Sequence, residues 1–77
     1  MESVLSVHPH DDFRLEIRFN TGETRIFDAR PYLEKGVFAQ LKELSKFRQA
    51  FVARGTVCWP DDLDIAPETL YIRSQPL

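Results

Sequence analysis

His8, His10, Asp11 and Asp12 place two imidazoles and two carboxylates within a single short stretch. Those donors suit zinc or another transition metal. A metal site needs three or four converging ligands, and Pro9 restricts how the two rings could turn toward one ion. No second cluster of His or Cys exists elsewhere in the chain, so a polar turn between two strands is the favoured reading. Asp61, Asp62 and Asp64, with Glu68 beyond, could chelate calcium, but they lack the ligand spacing and the glycine of an EF-hand loop. Carboxylates there also suit a turn after Pro60 and the start of a helix near Pro67. Cys58 could serve as a nucleophile given a positioned base and an electropositive setting. Flanked by Val57 and Trp59, it reads instead as a small buried hydrophobe. Trp59, Pro60, Asp64 and Tyr71 form a candidate interaction surface, because aromatics with one polar handle are enriched at binding hot spots. Trp59 and Tyr71 are equally the pieces that close a small core, and that reading is favoured.

These groups must be held by very little protein. Seventy-seven residues make one domain spanning 1–77, and a chain of that size buries only roughly 60% of its unfolded surface. With 43% hydrophobic residues and nine aromatics, there is material for one core and no room for an enclosed cofactor, so none is expected. Net charge is −2, from ten basic and twelve acidic residues, which argues against independent nucleic-acid binding. Lys42, Lys46, Arg48 and Arg54 cluster apart from the acids of 61–68, and opposed patches of this kind can orient a partner. One cysteine forms no internal disulfide, and the N-terminus has neither a basic region nor an apolar run. The expected setting is therefore intracellular and cytoplasmic, with no membrane contact.

The chain reads as a series of short elements. Val4, Leu5 and Val7 begin a strand that Pro9 ends. Phe13, Leu15, Ile17 and Phe19 alternate with Arg14, Glu16 and Arg18, a period of two that marks a strand with one buried face. Asn20-Thr21-Gly22 turns the chain into a third strand, Glu23–Asp28. A two-residue loop would pair Ile17 with Ile26, and a three-residue loop with a bulge would pair Leu15 with Phe27. After a turn around Pro31 closed by Gly36, residues 37–44 are the main helix candidate, with Phe38, Leu41 and Leu44 at three-residue spacing. A further turn is expected at 45–48. Residues 50–53 and 56–59 form a second hairpin around Arg54-Gly55, setting Val52 opposite Val57, Phe51 opposite Cys58 and Ala50 opposite Trp59. Both faces of that hairpin are apolar, so it should be central or well covered. Residues 67–72 read as a helix in preference to a strand, and 74–77 as a frayed tail. The expected fold is α+β: one mainly antiparallel sheet of about five strands, two hairpins plus the N-terminal strand, with short helices packed on one side. Its edges are expected to be short and charged.

Taken together, several motifs resemble a known family. They are the hairpin residues Phe19, Gly22, Glu23, Phe27 and Asp28, the segment Pro31-Tyr32-Leu33 with Gly36, Val37, Phe38 and Leu41, and an ending with Val57, Trp59, Pro60, Asp64, Ile65, Pro67, Glu68, Leu70 and Tyr71. This pattern is similar to the small bacterial family catalogued as domain of unknown function 2442, over roughly Val4 to Tyr71. The resemblance implies a compact α+β fold, and the family has no established catalytic residues to carry over. It also implies short proteins encoded beside another small protein, as in toxin–antitoxin pairs, with some longer relatives fused to a helix-turn-helix domain. The expectation is a non-enzymatic protein-interaction module, the antitoxin-like member of a two-protein pair, whose partner is the product of an adjacent gene. The alternative is a DNA-associated transcriptional regulator acting with a helix-turn-helix partner, and a weaker one is a metal-dependent enzyme using His8 and His10.

Overall fold

The computed structural model describes all residues 1–77. Its strands form two antiparallel sheets rather than one. The first sheet has the order β1-β2-β3-β7, from β1 (Val4–Pro9), β2 (Arg14–Phe19), β3 (Thr24–Asp28) and β7 (Gln75–Pro76). The second has the order β4-β5-β6, from β4 (Phe51–Ala53), β5 (Thr56–Trp59) and β6 (Leu63–Ile65). Between β3 and β4 the chain makes a 3-10 turn at Arg30–Tyr32, a 3-10 segment at Gly36–Lys42 and the single-turn helix α1 (Leu44–Phe47). Helix α2 (Pro67–Arg73) follows β6 and lies against β3. No helix is long and apolar enough to cross a membrane.

One core joins the two sheets. Leu15, Ile17, Phe19 and Phe27 from the first meet Val57, Trp59, Leu63 and Ile65 from the second, with Leu41, Phe47 and Leu70 packed among them. The alternation in β2 is the reason: each apolar residue of that strand is buried, and the arginines between them face water. The sheets also touch along a seam where β1 lies beside β4 and β5, and the Val4 amide donates to the Gly55 carbonyl at 2.8 Å.

All four tight hairpins place residues in the left-handed region. The β2–β3 register pairs Leu15 with Phe27, so the three-residue loop forms and Gly22 takes φ 91° as its bulge residue. The β1–β2 connection uses the same scheme. His10 bonds Phe13 and Arg14 across the turn, and Phe13 sits at φ 66° where Gly22 sits in the other loop. Phe13 is therefore a loop residue, not the first residue of β2. It is held there by packing on Phe47, with ring centroids 5.2 Å apart. The β4–β5 hairpin has the expected pairs Phe51–Cys58 and Val52–Val57, with Arg54 and Gly55 at positive φ as a primed two-residue turn requires.

Four other expectations are corrected. The main helix is a 3-10 segment at Gly36–Lys42, on which three-residue spacing keeps Phe38 and Leu41 in one row, while Glu43 is extended and Leu44 begins α1. Residues 61–64 are not wholly a turn. Asp61 and Asp62 turn the chain in left-handed conformations that Asp tolerates, and Leu63 to Ile65 then pair with β5 as Trp59–Leu63 and Val57–Ile65. The tail is ordered against β3, where Gln75 and Pro76 pair with Ile26 and Arg25. Finally, β4 carries no charge at all, so the strands are not uniformly blunted by charged residues.

Candidate interaction surface

The four residues of the expected surface separate in the fold. Trp59 is 1% exposed, and its indole N–H donates to the Phe47 carbonyl at 2.9 Å. Edge-on to Phe38 and tilted against Phe47, it is core, as the size of the domain favoured. Only its edge reaches a shallow depression of about 90 Å³ rimmed by Gln40, Lys46, Gln49, Pro60 and Asp61. Pro60 is exposed there. Asp64 is exposed on β6, in a row across the outer face of the second sheet that the register defines as Phe51–Cys58–Asp64. Cys58 is 4% exposed within that row, and its thiol lies 3.7 Å from the Ala53 carbonyl. Phe51, by contrast, is 45% exposed. The cover expected for this face is missing over Phe51.

Tyr71 belongs to a different site, a polar latch between α2 and β3. Arg25 pairs with Ile17 and therefore points inward, with only 12% of its side chain exposed. Its Nε donates to Ser74 Oγ at 2.7 Å, and a terminal nitrogen donates to the Ser74 carbonyl at 2.8 Å. Ser74 Oγ in turn donates to the Tyr71 carbonyl. The guanidinium lies 4.6 Å from the Tyr71 ring centroid, a cation–π arrangement. The Tyr71 hydroxyl donates to Glu23 Oε1 at 2.5 Å, and its ring meets Phe19 edge-on at 5.2 Å. That hydroxyl, joined by Thr21 and Arg25, holds the Glu23 carboxyl below its usual range. The same bond, with burial and the Glu23 charge, pushes the tyrosine up. No buried side-chain polar atom lacks a partner.

The imidazoles do approach each other, with His8 and His10 rings 5.1 Å apart edge to face. His10 Nε2 also lies 3.1 Å from Glu16 Oε1. These side chains do not close into a group of three His, Cys, Asp or Glu that could hold a metal ion. Asp11 turns away to Arg48 and Asp12 to Arg14, and Asp61, Asp62, Asp64 and Glu68 gather no such group either.

The larger concavity involves residues that sequence reasoning did not single out. On the outer face of the first sheet, Arg14, Arg30 and Arg73 surround a groove of about 470 Å³ with Ile26, Asp28 and Gln75. Arg30 grips Asp28 fork on fork, Nε to Oδ1 at 2.9 Å and a terminal nitrogen to Oδ2 at 2.8 Å. Those bonds hold the Asp28 carboxyl below the usual carboxylate range. Arg14 uses its Nε on Asp12 at 2.7 Å. Arg73 enters no ion pair. The three arginines are scattered from position 14 to position 73 of a net-acidic chain. The one early signal was strand register, which sets Arg14 opposite Asp28.

Two antiparallel sheets around one core, a latched C-terminal helix and open concavities define a small α+β domain with no enclosed cavity. A family model described as "Protein of unknown function (DUF2442)" matches residues 4–76. The chain belongs to that family. No curated protein and no solved structure matches it.

Proposed function

We propose that this protein is a non-enzymatic protein-interaction module, and that it acts as the antitoxin-like member of a two-protein pair. The observation that carries the reading is Phe51. It stands 45% exposed beside buried Cys58, the one aromatic among the large hydrophobic side chains that the fold leaves exposed. Leu5, 59% exposed, projects from the bulge of β1, the strand that lies alongside β4. Large apolar side chains on adjoining strands are what a partner would cover. The two-protein arrangement implied by the family resemblance supplies the kind of partner, a second small protein encoded alongside. The test is purification of the tagged protein from its native host under gentle conditions, with a Phe51→Glu variant in parallel. A stoichiometric protein that co-purifies with the wild type and is lost with Phe51→Glu supports the reading. Absence of any stoichiometric protein removes it.

A further inference from the structure

We infer that the outer-face groove between Arg14, Arg30 and Arg73 is a docking site for an acidic, extended segment of a partner protein. The inference rests on the interaction reading above and specifies a second contact surface with its own chemistry. Charge decides the occupant. Three guanidinium groups line the groove against one side-chain carboxylate, Asp28, which Arg30 already holds fork on fork, and Pro76 and Leu77 complete the wall. Arg14 is engaged through Nε alone, which leaves its terminal nitrogens, and Arg73 is free. Guanidinium forks match carboxylates bidentately, so the groove presents two unfilled sites for side-chain carboxylates. Glu16, which pairs with Ile26 across the sheet, is occupied by His10 at 3.1 Å.

The floor and rim fit a peptide. Ile26 is half-buried at the centre and offers an apolar surface for the aliphatic stem of a Glu. Gln75 stands opposite Ile26 on β7, a strand of two residues at the sheet's edge, so an extended chain can lie alongside it. A nucleic-acid backbone fits less well. A longer polyanion would run past the groove toward Asp12 and Glu16, and the chain as a whole carries −2.

The test uses fluorescence anisotropy with the full chain at low salt and a labelled peptide of alternating Glu and Ala. Its controls are an alternating Lys and Ala peptide and a single-stranded DNA of equal charge. The expected result is binding of the acidic peptide only, weakened by added salt. Arg73→Glu should weaken it by at least about tenfold with an unchanged thermal melt. Lys46→Glu, the same charge reversal beside the other depression, should leave it within about twofold. No binding of the acidic peptide overturns the inference. So does equal weakening by Lys46→Glu, or DNA binding as tight and as dependent on Arg73. In the host purification, a partner captured equally by Arg73→Glu protein removes the groove and leaves the interaction reading. Peptide binding without any captured partner does the reverse.

Discussion

Replacing Phe13 by glycine and by alanine separates two effects that oppose each other at that position. The backbone there has φ 66°, and a left-handed non-glycine residue costs about 1–2 kcal/mol. Against this, the ring packs on Phe47 at 5.2 Å and is half-buried. Fully burying and then truncating a Phe costs about 3–5 kcal/mol, so half-burial puts the packing loss near 2 kcal/mol. Phe13→Ala loses the packing and keeps most of the strain, giving a net loss of about 2 kcal/mol. Phe13→Gly loses the same packing but relieves the backbone, giving a net loss of about 1 kcal/mol. Glycine should therefore be the more stable variant, reversing the usual order of the two residues. Gly22 supplies the internal standard, since it holds the matching position in the β2–β3 loop at φ 91° with nothing within 4 Å of an added Cβ. Gly22→Ala should cost about 1 kcal/mol from conformation alone, equal to the gap between the two Phe13 variants. Urea unfolding gives all three values, and in a domain this small about 1 kcal/mol moves the melting temperature by roughly 4–8 °C. A Phe13→Gly protein less stable than Phe13→Ala would refute the reasoning.

Three further outcomes follow from the core and the latch. Trp59→Phe should destabilise by about 2 kcal/mol, from a lost buried hydrogen bond to Phe47 and a small cavity; in the wild type, the emission of this only Trp should be blue-shifted and resist iodide quenching until urea unfolds the chain. Arg25→Met should cost about 2 kcal/mol, because both bonds to Ser74 are lost where the side chain is mostly buried; amide exchange should speed up at residues 74–77 before it does in β2. On acidification, the carboxyl of Glu23 has a folded value below its unfolded value near 4.5, so its contribution is present above that value and lost as pH falls through the folded one. Melting temperatures between about pH 3 and pH 6 should drop on the acid side, and Tyr71→Phe should flatten that drop; an unchanged slope in Tyr71→Phe would detach Tyr71 from the effect.

The parts of this fold that the sequence disclosed are those fixed by local pattern. The period-two run ending at Phe19 had one reading, and Arg54-Gly55 allowed a single tight register for its hairpin. The first hairpin stayed ambiguous because Ile26 and Phe27 are both apolar; tertiary packing chose Phe27, whose ring also meets Tyr32 at 5.3 Å. Strand β6 was hidden because Leu63 and Ile65 flank a single acid directly after two others, and a three-residue strand has no periodicity to detect. Strand β7 has no pattern of its own: Gln75 and Pro76 are placed by Arg25 gripping Ser74 from the far side of the sheet. Sites suffered the same way. The candidate residues were chosen by proximity in sequence, whereas the arginine groove is assembled from β2, the turn after β3 and the end of α2.

That assembly ties the latch to the groove. Arg73, Ser74 and Gln75 are consecutive, and the helix ends between the first two. Ser74 is pulled inward by Arg25, so its neighbours emerge on the outer face, Arg73 as a wall of the groove and Gln75 as its rim. An inward arginine thus sets where an outward one stands. Loosening the latch must then blur the groove without altering a single groove residue. Arg25→Met should weaken acidic-peptide binding by a smaller factor than Arg73→Glu, while lowering the melting temperature that Arg73→Glu leaves alone. If the latch variant melts earlier yet binds the peptide as the wild type does, the two faces of β3 are independent and the coupling is wrong.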